Sequence, residues 1–246
     1  MALRKIKLLI QYDGTAYHGW AAQPAMATVQ GTLLDAIEKL TGLHVDLLGS
    51  SRTDAGVHAL GQVAAFTIDG PIPTENFARA LNNMLPDDIV IIEAIEVPDS
   101  FDPISDTQSK IYRYTISTDA VRSPMNIRYC WHRPGALNIE TMQQAANKLL
   151  GTHDFKSFAS AADTRQSSVR TILKCDVAGQ ENWITFDVQA NGFLYNMVRN
   201  IVGTLVEVGR GRWTASDIER ILAAADRTQA GPIAPASGLC LMKIFY

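Results

Sequence analysis

Two runs of alternating apolar residues constrain this chain most. Residues 5–12 put Ile6, Leu8, Ile10 and Tyr12 on one face, and residues 110–117 do the same with Tyr112, Tyr114 and Ile116. A period of two marks a half-buried strand. Each run opens a similar series of segments. After the first, Asp13-Gly14 predicts a turn. Thr28 caps a predicted helix to about Leu40, with Val29, Leu33 and Ile37 along one stripe and Gly42 as its stop. Residues 62–68 and 89–97 predict strands around a helix at 74–85, which Pro86-Asp87-Asp88 breaks. After the second run, Asn138 caps a helix that Gly151 ends. Residues 169–177 and 183–189 read as strands, 193–208 as an unusually apolar helix, Thr214 as the start of another, and 239–246 as a last strand. The series predicts an α+β protein, two α/β halves with mixed or antiparallel sheets. The Pro- and Asp-containing stretch 101–109 is the expected boundary, giving domains 1–104 and 105–246.

Composition narrows the function classes. Of 246 residues, 47% are hydrophobic and 19% charged, the balance of a folded chain rather than a disordered one. No apolar run approaches the roughly 20 residues of a membrane helix, so no membrane role is expected. The first residues lead straight into strand-like sequence without signal-peptide anatomy. Cys130, Cys175 and Cys240 are far apart and form no CxxC pair, which suits a reducing cytoplasm. The five histidines form no HExxH and no His/Cys cluster, so no metal is expected. GxGxxG, GxxxxGK[ST] and GxSxG are all missing, which disfavours several large enzyme classes that depend on bound cofactors or nucleotides. The net charge of −3 is unevenly spread. Residues 69–106 hold nine acids and one base, whereas residues 107–215 hold thirteen bases and eight acids. A mildly acidic protein can therefore carry a basic face.

The segment richest in chemistry is 49–63, Gly-Ser-Ser-Arg-Thr-Asp-Ala-Gly-Val-His-Ala-Leu-Gly-Gln-Val. If 52–54 is extended, Arg52 and Asp54 project to the same side. A guanidinium near a carboxylate keeps it ionised. That suits a nucleophile or base better than a proton donor. Gly56 and Gly61 permit close approach of backbone to a ligand. The same residues also fit a polar turn whose Asp caps a helix or pairs with Arg52, and residue types alone leave both readings open. Arg199, inside the apolar 193–208 segment, needs a partner or a route to solvent, and a carboxylate is the natural partner. Tyr112 and Tyr114, on one strand face, read as core aromatics before they read as catalytic groups.

Residues 52–59, Arg-Thr-Asp-Ala-Gly-Val-His-Ala, resemble the signature of the tRNA pseudouridine synthase I (TruA) family. Further blocks resemble it in family order: 12–20, 28–30, 81–89, 110–114, 151–158, 197–203 and 234–239. The resemblance implies the pseudouridine synthase fold, with an active-site cleft between the halves. It implies isomerisation of uridine to pseudouridine in the anticodon stem-loop, at tRNA positions 38, 39 and 40, with tRNA as partner, a homodimer, and neither cofactor nor metal. Asp54 takes the place of the essential catalytic aspartate. Tyr112 matches the tyrosine against the target base, Arg199 the basic residue that pairs with the aspartate, and Arg52 an arginine linked to flipping the nucleotide out. Leu239 matches an apolar residue of the base pocket, with Leu241 the lesser alternative, and Tyr114 falls to a structural role. Such a flip costs a few kcal/mol.

Arg113, Arg165, Arg170, Arg210 and Arg212 are candidate phosphate contacts and equally candidates for solvated surface. Three places depart from the family pattern. Ser51 replaces a glycine, 19–23 lacks a polar residue after Trp20, and 101–108 lacks the usual His and Arg. The last keeps open a synthase for a different RNA or other tRNA positions. An RNA-binding member without catalysis and a small-molecule enzyme are the remaining alternatives.

Overall fold

The computed structural model describes residues 3–246; Met1 and Ala2, at the start of the first predicted domain, lie outside the described residues. Strand β1 (Arg4–Tyr12) forms as its alternation requires, with Ile6, Leu8 and Ile10 fully buried. It pairs antiparallel with β3 (His58–Ile68) on one side and β4 (Ile89–Val97) on the other. The two-residue β2 (Leu48–Gly49) pairs with β3 at Ala65 and Ala64. Helix α1 (Val29–Thr41) starts where the Thr28 side chain accepts the Gly31 N–H, and stops at the left-handed Gly42. It buries Val29, Leu33, Ala36 and Ile37.

The predicted helix at 74–85 is shorter than its pattern. A 3-10 turn (Thr74–Asn76) leads into α2 (Phe77–Asn82), which ends as the Asn82 amide pairs with both backbone groups of Ile91 at 2.8 and 2.7 Å. Past Asn82 the helix tightens into a turn in which the Met84 and Leu85 N–H groups both reach the Leu81 carbonyl at 2.9 Å.

The chain divides into two units, Met1–Gln108 with Leu241–Tyr246, and Ser109–Cys240. Strand β10 (Leu239–Phe245) begins in the second and ends in the first, where it follows β3 in the order β4-β1-β3-β10.

In the second unit, β5 (Ser109–Ser117), β9 (Trp183–Ala190), β8 (Val169–Gln180) and β7 (Gly151–Asp154) lie side by side in that order, each pair antiparallel. The short β6 (Trp131–His132) pairs parallel with β5, so the sheet is mixed. Tyr112, Tyr114 and Ile116 of β5 are buried with Val188 and Phe186 of β9 and Cys175 of β8. Helices α3 (Ile139–Asn147), α4 (Met197–Gly209) and α5 (Ala215–Ala224) complete the unit. Asn138 caps α3 through the Thr141 N–H, and Thr214 forms a capping box with Asp217. The apolar run at 193–208 becomes helix only from Met197. Asn196 is left-handed at φ 61°, and Phe193 turns onto Tyr112. Helix α4 is buried all round, save half-buried Arg199.

The chain is thus α+β with mixed sheet. Among the described residues no helix is long and apolar enough to cross a membrane.

Candidate active site

Asp54 lies on the loop between β2 and β3. Along 51–54 burial alternates: Ser51 buried, Arg52 exposed, Thr53 buried, Asp54 half-buried. Each inward residue is tied down. Thr53 Oγ1 lies 2.7 Å from the Tyr12 hydroxyl, and the Thr53 carbonyl accepts the Trp20 N–H at 3.0 Å. Gln62, fully buried on β3, accepts the Ser51 N–H at 3.2 Å and the Val63 N–H at 3.1 Å, and donates to the Ser51 carbonyl at 2.6 Å. Beyond Asp54 the chain turns: the Val57 N–H reaches the Asp54 carbonyl at 3.1 Å, and left-handed Gly56 donates to the Tyr17 carbonyl at 3.3 Å. Gly19 passes under this strip at φ +90°, and a Cβ there would stand 2.6 Å from the Thr53 carbonyl oxygen. The 12–20 segment is therefore the floor of the Asp54 loop. The floor is itself pinned by the Tyr17 hydroxyl, which donates to Asp88 at 2.6 Å. Burial, then that carboxylate, push the Tyr17 hydroxyl upward and keep it a donor.

The second unit carries Tyr112, Arg199 and Leu239. Tyr112, 6% exposed, meets Phe193 edge-on at 5.1 Å. Arg199 Nε donates to the Ala234 carbonyl at 2.8 Å and Nη1 to Asn196 Oδ1 at 2.9 Å, while the Ala234 N–H returns to the Arg199 carbonyl at 3.2 Å. Residue types had pointed to a carboxylate; a carbonyl and an amide are among its acceptors. The chain from Ala234 to buried Leu239 is a strap across the unit. Tyr114 donates to the Pro235 carbonyl at 2.8 Å, and Ser237 to the Cys130 carbonyl at 3.2 Å. Tyr114 is fully buried, and burial pushes its hydroxyl upward. The strap thus ties Arg199 of α4 and Tyr114 of β5 to Leu239, where β10 begins. Leu241, two residues on, is buried as part of the first unit.

The model of the family described as tRNA pseudouridine synthase matches residues 8–104 and 145–246. A protein of Thermoanaerobacter sp. (strain X514) named tRNA pseudouridine synthase A is 46% identical over 244 residues, covering 99% of this chain and all of that one. Proteins of the same name from Acetivibrio thermocellus and Ruminiclostridium cellulolyticum are 47% and 48% identical, again over 99% of this chain and all of theirs. The chain belongs to the tRNA pseudouridine synthase family. A solved structure titled as a Cbf5-Nop10-Gar1 complex gives a TM-score of 0.37 at 10% identity; this chain spans 57% of that one, and the likeness is too slight to bear on the fold.

Blocks of the family that lie apart in sequence meet within a unit: 12–20 floors the loop of 52–59, and 234–239 joins 197–203 to 110–114. Of the basic candidates, Arg113 makes a bidentate pair with Asp187 at 2.7 Å, and Arg210 and Arg212 both reach Glu207, at 3.1 and 2.9 Å. Arg165 and Arg170 stand near Phe193 and Gly192.

Gln62 was missed by sequence reasoning although it lies in the quoted segment. The available signal was a lone amide in the otherwise apolar buried stretch 62–66.

Proposed function

We propose that this chain isomerises uridine to pseudouridine in tRNA at positions 38, 39 and 40 of the anticodon stem-loop. The observation that carries the reading is a carboxylate, Asp54, on a loop braced at Ser51 and Thr53, in a chain that matches tRNA pseudouridine synthases over 99% of its length. Breaking the N1–C1′ bond, turning the base and joining C5 to C1′ releases the C5 proton and changes no oxidation state, so the chemistry needs no cofactor.

Asp54 is the catalytic carboxylate acting on the target nucleotide. Arg52, exposed beside it, takes the place left when that nucleotide leaves the stack. Tyr112 lies against the base, Leu239 gives its pocket an apolar wall, and Arg199 holds the negative charge in place. The units supply these groups as two domains, and the enzyme works as a cytoplasmic homodimer on tRNA.

Unmodified tRNA tritiated at uridine C5 tests the reading. Release by wild type and none by Asp54→Asn, with pseudouridine mapped to 38–40, is expected. No release by folded wild type that retains tRNA refutes it.

A second reading, a different RNA or other positions, is favoured by 101–108. Asp102 there accepts the Ile104 and Ser105 N–H groups at 2.7 and 2.8 Å, and these bonds, Ser105 first, hold its carboxyl below the usual range. Its negative charge is fixed where the family usually has His and Arg. Product mapped outside 38–40 decides for this reading.

A further inference from the structure

Lys110, Arg165 and Arg170 gather at one end of the face that carries Tyr112; the sequence leaves the two arginines open between phosphate contact and solvated surface, and does not mark Lys110. The register sets Lys110 opposite Ala190 and Ala190 opposite Ile172, so these three form one row across β5, β9 and β8. Cross-strand partners share a face. Tyr112, two residues past Lys110, and Arg170, two before Ile172, therefore lie on that same face. Arg170 runs over Gly192, where a Cβ would be 3.5 Å from its Nε. Arg165 Nη1 donates to the carbonyl of Phe193, the ring that meets Tyr112 edge-on. The nearby Asp163 lies 3.5 Å from Arg165 and also accepts the Tyr195 N–H at 2.6 Å and the Arg165 N–H at 3.0 Å, fixing the loop.

The charges strain against one another. Burial first, then Arg165, pull the Lys110 amine down to about 8. Burial and Arg165 also lower Arg170. Like charges held together are relieved when an anion enters, and guanidinium forks suit phosphate oxygens. A flipped nucleotide remains tied to its backbone, so a base against Tyr112 brings its own phosphates close.

We propose that Lys110, Arg165 and Arg170 form a phosphate-binding subsite beside Tyr112 that holds a backbone phosphodiester of the strand carrying the target uridine. The proposal rests on the reading of the chain as an RNA-modifying enzyme.

The test is unmodified-tRNA binding across a KCl series, with C5 tritium release measured on the same proteins. Arg165→Gln and Arg170→Gln are each expected to weaken binding about tenfold and to make the log–log salt slope shallower by about 0.7–0.9. KM rises while kcat at saturating tRNA holds. Arg170→Lys keeps the slope, and Lys148→Gln, whose amine pairs with Glu219 at 2.9 Å, leaves it at the wild-type value. Lower melting temperatures with unchanged slopes mean that the arginines only pack the loop, and overturn the proposal. Wild type that binds tRNA but releases no tritium refutes the enzymatic reading, while the slopes still decide the subsite.

Discussion

Gln62→Leu removes the central brace of the Asp54 loop while nearly conserving side-chain volume. Gln62 is fully buried, and water cannot replace it. The Ser51 N–H loses an acceptor at 3.2 Å and the Ser51 carbonyl a donor at 2.6 Å. A buried backbone group deprived of its partner costs about 1–3 kcal/mol, so the two together cost about 2–6 kcal/mol. Relief from burying the amide itself pulls the net toward the lower end. Against a domain stability of about 5–15 kcal/mol this is large and measurable by urea unfolding. Ser51 and Thr53 are the inward residues of the strip that presents Asp54, so loosening Ser51 lets the carboxylate drift. A displacement of about 1 Å costs about 100-fold in rate. At a temperature where the variant is folded, C5 tritium release should fall about 10- to 100-fold in kcat, with KM for tRNA little changed. Gln62→Glu sharpens the test. Its carboxylate still accepts both N–H groups but sets an anionic oxygen against the Ser51 carbonyl. It should be less stable than wild type at neutral pH and recover part of the difference on acidification, when the protonated acid can donate. Wild-type stability in Gln62→Leu would refute the energetic reasoning. Lost stability with unchanged kcat would refute the coupling to catalysis.

Gly19→Ala combines a left-handed backbone, about 1–2 kcal/mol for an L-residue, with a Cβ 2.6 Å from the Thr53 carbonyl oxygen. Stability should fall by more than the backbone cost alone, and kcat by at least about tenfold. An unaltered rate would show that the floor does not set the position of Asp54. The Lys110 amine, drawn down to about 8 by burial and by Arg165, loses its charge as pH rises from 7 to 9. tRNA affinity should weaken over that range. Fold stability should instead gain between about pH 8 and the amine's ordinary range, because the unfolded chain there binds the extra proton. Lys110→Arg should flatten the affinity profile, and an equally steep profile in that variant rules out Lys110 as the titrating group.

What was legible in the sequence was local. Thr28 and Asn138 cap their helices with their own side chains, and Gly42 ends α1 with its own φ, so those boundaries need no distant partner. Strand β4 spans the residues that its bounding turns predict. Strand β3 starts at His58 rather than Gln62, and its early residues pair with β1 at Tyr12 and Ala59 across a register shift that no local pattern encodes. The apolar run at 193–208 conceals a break at Asn196, since Phe193 is apolar for the sake of Tyr112 and not of the helix. Strands β2, β6 and β7 are too short for a period to show. At the candidate site, residue types marked the Arg52-Thr53-Asp54 strip as polar and reactive. That Tyr12, Trp20 and Gln62 hold it depends on contacts across 41, 33 and 11 residues of chain, which no local pattern encodes.

The shared strand β10 bears on how the protein is made. The first unit needs Leu241–Tyr246, and residues 109–240 lie between its two pieces. At about 5–20 residues per second, synthesis of those 132 residues takes about 7–26 s. Throughout that interval the nascent first unit must keep β3 without its β10 neighbour, and the Gly61 end of the strand stands open, its glycine kept bare for the Met242 carbonyl that packs against it later. An unpaired edge invites pairing with other chains. The loop bearing Asp54 runs directly into this strand. A ribosome that stalls after residue 108 would therefore leave the Asp54 loop attached to an unfinished sheet, whereas the arrival of Leu241–Tyr246 supplies the β10 neighbour of β3.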